Sequence, residues 1–261
     1  MELYNLIAGL LVGIIIGATG MGGGSLMTPL LIWLFGVAPT TAIGTNLCFA
    51  AITKTFGSFI HIKNKTVDWM IVQRMAKGSI PSAIITLTIV YLLGFNSETS
   101  SELTKPLSII LFTTALIILL KPWLFQLGRN KRLQTPEKFK VYQPILTILM
   151  GGALGIIVSL TSIGAGTIGT VMLVYLYPLR MNGIKLVGTD IAHATPLAYV
   201  AAIGYIAMGN VDFIVLFSML MGSVPGIIIG SKLGIKLPDS LLRYAIALTL
   251  IFISLKMFNK I

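Results

Sequence analysis

Eight long apolar segments, separated by short polar links, make up most of this 261-residue chain. They cover residues 6–35, 39–62, 67–94, 106–125, 142–177, 183–208, 211–235 and 241–258. A helix needs about 20 apolar residues to cross a hydrocarbon core of about 30 Å, so the apolar segments allow many crossings. Only 10% of the residues are charged while 56% are hydrophobic, a composition that a water-soluble globule does not have. The sequence therefore predicts an all-α, polytopic membrane protein.

The charges favour orientation in a bilayer over binding to nucleic acid, because the 19 Lys and Arg residues lie mainly in the short links. A single cysteine, Cys48, excludes an internal disulfide framework, a Cys-rich zinc site and an iron–sulfur cluster. The chain has no phosphate-binding loop, no Gly-x-Ser-x-Gly elbow and no His-Glu-x-x-His pair. We therefore expect no nucleic-acid partner, no cofactor, no resident metal, no ATP-driven step within the chain and no enzyme activity.

The two halves of the chain resemble each other at an offset of 144 residues. The matches include Gly20 with Gly164, Gly22 with Gly166, Gly44-Thr45 with Gly188-Thr189, Val67-Asp68 with Val211-Asp212, Gly78-Ser79 with Gly222-Ser223, and Pro81 with Pro225. Shared hydrophobicity alone does not align Gly, Pro and Asp. We expect a first transmembrane repeat at 1–125, a basic cytoplasmic linker at 126–141 and a second repeat at 142–261.

Segments 6–35 and 142–177 are too long for one straight crossing and too short for two full ones. Each carries a cluster of glycines near its middle, at 20–24 and 164–169, and glycine weakens a helix interior. We therefore predict that each segment forms two short helices joined within the bilayer, as a hairpin that returns to its own side. The alternative is a single broken crossing.

The positive charges favour the hairpin. It places fifteen Lys and Arg residues on one side of the membrane and three on the other, with Lys54 inside. A single crossing would move Arg180, Lys185 and three others to the opposite side and blur this asymmetry. The basic side should be cytoplasmic, which places both termini outside the cytoplasm. Each half then has a hairpin plus three spans, giving about 8–10 helical segments in two inverted repeats.

The glycine clusters are the first candidate site. A helix resumes after each one, so free backbone N–H groups and the positive helix end favour an anion there. Inverted repeats also place substrate sites at their interface near the bilayer midplane. Close helix packing is the alternative use of such glycines. The candidate substrate-binding residues are Gly20, Gly22, Gly23, Gly24, Ser25, Thr45, Asn46, Lys54, Ser162, Gly164, Gly166, Thr167 and Thr189.

Polar residues inside apolar spans are the second candidate. Lys54 lies mid-span, too far from the interface to snorkel readily, and either binds a ligand or pairs with Asp190 across the repeats. Asp190 and His193 share a helix face and form either a proton relay or a structural pair. Pro81 and Pro225 should kink their spans and are candidate gating residues.

Two carboxylates are expected to be structural. Asp68 and Asp212 each follow a residue able to cap a helix, in the first turn of a span.

The ordered motifs resemble the TauE/SafE sulfite-exporter family over nearly the whole chain. The residues that carry this resemblance are Gly20-Met21-Gly22-Gly23-Gly24, Ile52-Thr53-Lys54, Thr66-Val67-Asp68-Trp69, Gly78-Ser79-Ile80-Pro81, Ser162-Ile163-Gly164-Ala165-Gly166, Val187-Gly188-Thr189-Asp190-Ile191-Ala192-His193-Ala194, Gly209-Asn210-Val211-Asp212 and Gly222-Ser223-Val224-Pro225-Gly226. Asn46 stands where this branch would have Asp, which removes one buried carboxylate.

The resemblance implies a multi-pass protein of the bacterial plasma membrane that exports sulfite, sulfoacetate or another organosulfonate by alternating access, without an ATPase. Its partners would be that anion, the lipid bilayer and, where Asp190 and His193 act as a relay, coupled protons. An anion channel would use the same helix ends. A cation or metal transporter would instead use Asp190, His193 and Cys48.

Overall fold

The computed structural model describes residues 2–19, 27–28, 31–32, 35–92, 108–109, 112–113, 115–120, 122–123, 126, 140–166, 168–181, 183–233 and 239–258. Some candidate residues lie outside these ranges: Gly20, Gly22, Gly23, Gly24, Ser25 and Thr167. Most of the basic linker at 126–141 also lies outside them.

Eight α-helices have both of their ends among the described residues, and none of these residues lies in a strand, which confirms the predicted all-α class. The helices are α1 (Glu2–Thr19), α2 (Pro39–Lys63), α3 (Trp69–Leu92), α4 (Gln143–Thr161), α5 (Ile168–Leu176), α6 (Gly183–Ala207), α7 (Phe213–Leu233) and α8 (Asp239–Phe258). By length and composition, α3, α4 and α6 can each cross a membrane, and Phe213–Gly226 is a shorter apolar stretch. Large apolar side chains such as Phe56, Phe59 and Leu92 are exposed on the outside of the bundle. This exterior suits lipid rather than water.

The two halves of the chain build matching helices. Helices α2 and α6 each have 25 residues and begin 144 residues apart, at Pro39 and Gly183. Helices α3 and α7 also begin 144 residues apart, at Trp69 and Phe213. The helix boundaries therefore follow the offset that relates the two halves of the sequence.

Helices α2 and α6 pack against each other in opposite directions. Gly44, near the start of α2, lies beside Tyr205, near the end of α6. Gly188, near the start of α6, lies beside His61, near the end of α2. Equivalent helices that run antiparallel are what an inverted repeat would produce, and the inverted repeat and its orientation in the bilayer stay predictions.

The halves also interlock through their first helices. Helix α1 packs along α7, and α4 packs along α3, so the other half of the chain holds each first helix. Glycines allow the backbones to approach closely: Gly78 faces the carbonyl of Ile148, and Gly222 faces that of Leu6. A Cβ atom at either glycine would overlap the neighbouring backbone. Small residues commonly permit such crossings in membranes.

Residues 142–177 form a hairpin, as predicted. The Nε2 atom of Gln143, at the start of α4, donates to the carbonyl of Leu176, at the end of α5, over 2.8 Å. Both arms therefore end at the same side. The turn between them uses Gly164 and Gly166, whose φ angles of 124° and 104° disfavour residues with a Cβ atom.

The two arms are unequal, so the prediction of two short helices is wrong for α4. This helix has 19 residues and is about 28 Å long, whereas α5 has nine and is about 13 Å long. Glycines within α4 do not break it because they face α3: Gly151 lies against Met75, and Gly155 lies against Ser79. Tertiary packing thus overrides their low helix propensity.

An ion pair between the halves supports the two-way hairpin over a single broken crossing. Arg180, which follows α5, lies 2.6 Å from the carboxylate of Asp68, which precedes α3. A single crossing would have placed these residues on opposite sides of the membrane. We call this side, which also carries Lys63 and Lys185, the basic end.

Replacement of Gly78 by Val should separate α3 from α4, since its side chain would overlap the Ile148 carbonyl. We expect a loss of roughly 2–3 kcal/mol in the free energy of unfolding. Gly57→Ala is the matched control, because its Cβ atom would meet Ile191 at an ordinary 3.5 Å. Thermal unfolding of the purified protein in detergent checks both variants. Equal stability of Gly78→Val and the parent would contradict the close crossing.

Candidate functional site

Buried polar side chains from both halves gather where α2, α3, α4 and α6 meet. Each is 8% exposed or less: Thr28, Asn46, Lys54, Ser79, Ser159, Ser162, Asp190 and His193. Burial of a polar group without a partner is costly, so the contacts of these residues define what the region can do. Two groups of contacts stand out, one neutral and one charged.

The neutral group is a clasp formed by Asn46, Thr28 and Ser162. The Nδ2 atom of Asn46 donates to Thr28 Oγ1 and to Ser162 Oγ, each over 2.7 Å. The two hydroxyl oxygens are 2.6 Å apart. Asn46 therefore uses both amide hydrogens to join Thr28, four residues after the first glycine cluster, to Ser162, just before the second. This Asn46 clasp fixes the distance between the two halves at this point.

The charged group consists of Lys54, Asp190 and His193, with Ser79 beside them. The charge of the Asp190 carboxylate acts on the Lys54 ammonium across the halves, and direct pairing of the two groups stays a prediction. The charge of Lys54 also acts on His193. The Nε2 atom of His193 lies 2.8 Å from Ser79 Oγ on α3. Within the described part of the chain, His193 Nδ1 has no hydrogen-bond partner.

Asp190 belongs to α6, and its carboxylate lies beside the start of α5 and the turn of the hairpin. A Cβ atom on Gly169 would overlap its Oδ1 atom, and one on Gly166 would lie 3.8 Å from Oδ2. The start of a helix favours negative charge, so the carboxylate occupies the kind of place where an anion was expected. Gly169 was not among the predicted site residues, although it belongs to the same glycine cluster.

Thr45 and Thr189 make reciprocal contacts between the halves. The Thr45 hydroxyl accepts a bond from the backbone N–H of Asp212, and the Thr189 hydroxyl accepts one from Asp68, each over 3.0 Å. Each threonine therefore holds the segment that leads into α7 or α3 of the other half. Substrate binding by these two residues stays a prediction.

The remaining candidates lie away from the two groups. Pro81 and Pro225 are inside α3 and α7, with exposed side chains, and their role in gating stays a prediction. Cys48 is buried among apolar residues. Within the described ranges, no three His, Cys, Asp or Glu side chains come together as metal ligands would, so the metal alternative gains no support there.

Comparison with known proteins gives one family. The profile of the family described as Sulfite exporter TauE/SafE matches residues 5–257. The Bacillus subtilis protein named "Probable membrane transporter protein YjnA" is 38% identical over 98% of this chain and 100% of its own length. A second B. subtilis protein, "Probable membrane transporter protein YdhB", is 28% identical over 92% and 93% of the two chains. "Probable membrane transporter protein MJ0441" of Methanocaldococcus jannaschii is 29% identical over 89% of this chain and 84% of its own. No solved structure matches significantly.

The Asn46 clasp should be cooperative. Asn46→Leu removes both donors and should lower the free energy of unfolding by roughly 1–3 kcal/mol. Combined with Ser162→Ala, the total loss should fall short of the sum of the single losses by about 1 kcal/mol, because both variants break the same bond. Thr53→Ala is the control, since that hydroxyl bonds to the Phe49 and Ala50 carbonyls of its own helix. Strictly additive losses for Asn46→Leu and Ser162→Ala would show that the clasp does not act as a unit.

Proposed function

Since the chain belongs to the sulfite exporter TauE/SafE family and is a membrane transporter, we propose that it carries a small sulfur-containing anion as a secondary transporter. Sulfite, sulfoacetate and other organosulfonates are the substrates proposed. The relatives carry transporter names, and no catalytic activity is indicated. We place the protein in the bacterial plasma membrane, with both termini outside the cytoplasm.

Lys54 is the observation that carries the proposal of an anionic substrate. A buried lysine in the middle of a span is costly and marks a functional site by default. The Asp190 carboxylate, whose charge acts on Lys54, also lies beside the start of α5, where the helix dipole stabilises negative charge. An incoming anion could therefore bind Lys54 while the helix end stabilises the carboxylate. In this mechanism the substrate and Asp190 compete for one ammonium group.

His193 is proposed to carry the coupled proton. Its ring is 1% exposed and bonds to Ser79 through Nε2 alone among the described residues. A neutral imidazole with one nitrogen unused can accept a proton without losing that bond. Proton uptake would add positive charge beside Lys54 and so strengthen anion binding. Rocking of the halves about their interface would then give alternating access.

Replacement of Lys54 by Met should abolish anion binding while keeping the length of the side chain. We expect thermal stabilisation by sulfite or sulfoacetate to require at least about tenfold more anion than in the parent. Lys54→Arg should retain most of the stabilisation because it keeps the charge. Asp212→Asn is the control, since the side chain of Asp212 caps the start of α7 through the Val215 amide, away from Lys54.

The variant Lys54→Met/Asp190→Asn removes the uncompensated carboxylate and tests binding if the single variant folds poorly. Full stabilisation of either Lys54→Met protein by these anions, with chloride as the ionic-strength control, would contradict the proposed site.

His193→Gln should separate binding from proton coupling. The amide of Gln can bond to Ser79, but it does not take up a proton. In proteoliposomes, an imposed pH gradient should accelerate uptake of radiolabelled sulfite by the parent and leave uptake by His193→Gln unchanged. Binding of sulfite to the variant should stay within about threefold, since the charge of Lys54 is intact. A variant still driven by the gradient would contradict the role of His193.

A further inference from the structure

A cluster of charges joins the two halves at the basic end. The carboxylate of Asp68 accepts bonds from Arg180 Nε at 2.6 Å and Arg180 Nη2 at 3.1 Å. Lys185 Nζ lies 3.3 Å from the same carboxylate. Asp68 is 5% exposed, so its charge depends on these two cations. Asp68 belongs to the first half, and both cations belong to the second.

The backbone of Asp68 strengthens this connection. Its N–H group donates to the Thr189 hydroxyl of α6, so the side chain and main chain of one residue both bind the second half. Arg180 is itself placed by the end of the hairpin, because its N–H donates to the Tyr177 carbonyl. The cluster therefore connects the start of α3 to the hairpin and to the start of α6.

Among the described residues, no such cluster surrounds Asp212 at the opposite end of the molecule. Asp212 is the residue equivalent to Asp68 and keeps the backbone bond, to Thr45. The positions equivalent to Arg180 and Lys185, at the same offset of 144 residues, are Gly36 and Thr41. Asp212 Oδ1 accepts a bond from the Val215 N–H of its own helix instead. Asp68 thus forms ion pairs with the other half, to Arg180 and Lys185, whereas the side chain of Asp212 bonds within its own half.

A charge cluster at Asp68 that has no counterpart at Asp212 must change the balance between the state open at the basic end and the state open at the opposite end. Separation of the halves at the basic end would break the two hydrogen bonds from Arg180 to Asp68 and the contact with Lys185, and such charge-assisted bonds favour the closed end. Separation at the other end breaks no ion pair of Asp212 with a described residue. We propose that Asp68, Arg180 and Lys185 form a latch that holds the basic end closed and biases the resting transporter towards opening at the opposite end. This proposal depends on the transporter class, but on no particular substrate.

The experiment measures the reactivity of one buried thiol at each end. Ser58 of α2 and Ala202 of α6 are equivalent positions, 8% and 4% exposed, near the basic end and the opposite end respectively. Each is replaced by Cys in a Cys48→Ala background, and the rate of modification by a charged, water-soluble thiol reagent is measured in detergent. The measurement needs no anion, so it can succeed or fail independently of the proposed substrate.

Opening of the latch should expose the basic end. Asp68→Asn and Arg180→Gln should each raise the modification rate of Ser58→Cys about fivefold, and Ala202→Cys should become no faster. Arg180→Lys should stay close to the parent because it keeps a cation beside the carboxylate. Molar salt should accelerate Ser58→Cys in the parent and have little effect in Arg180→Gln. Asp212→Asn, the matched control, should leave Ser58→Cys unchanged.

Two results would overturn the proposal. One is an unchanged rate for Ser58→Cys in folded Asp68→Asn and Arg180→Gln at low and high salt, which would make the cluster a static brace. The other is an equal increase at both reporters, which would indicate general loosening. If Asp68→Asn and Arg180→Gln do not fold, the salt response of the unaltered latch decides: no acceleration of Ser58→Cys would refute it.

Discussion

Backbone groups that leave a helix at membrane depth must find partners within the protein, because lipid offers none. The turn between α4 and α5 meets this requirement with its own residues. The Thr161 hydroxyl donates to the Ile163 carbonyl and accepts from the Ile163 N–H, at 2.9 and 3.1 Å. The Gly164 carbonyl then accepts from the N–H groups of Ile168 and Gly169 as α5 begins. A turn satisfied in this way can lie in the centre of the bundle and meet Asp190 there.

The sequence was enough to predict the elements that repeat, since a shared offset fixes where helices begin. The helix break at Gly164 and Gly166 was also predictable, because a backbone with positive φ strongly favours glycine. The full length of α4 was not predictable from the sequence. Glycine disfavours a helix interior, and only the packed structure shows that Gly151 and Gly155 lie against α3. The bond between Asn46 and Ser162 joins residues 116 apart, and only the packed structure brings them together. Thr28 carried no sequence signal at all.

The two halves correspond in their backbone contacts and differ in the contacts of their charged residues. The glycine crossings and the reciprocal threonine bonds occur in both halves. The carboxylates have diverged: Asp68 binds two cations, Asp190 faces Lys54 and the start of α5, and Asp212 caps its own helix. Asn46 replaces the carboxylate equivalent to Asp190 with a neutral clasp. The packing contacts are therefore similar in the two halves, while the partners of the charged residues differ between them.

The first helix of each half packs against the other half, and this arrangement determines the order in which native contacts can form during synthesis. Helix α1 leaves the ribosome well before α7, which packs against its Gly9 and Gly13 and follows about two hundred residues later. Until then the glycine face of α1 has no native neighbour, and the nascent chain must keep it from pairing elsewhere. Loop closure over such a separation is slow compared with local contacts. The first half is thus a partly folded intermediate until the second half is synthesised. We expect the membrane insertion machinery to hold this intermediate.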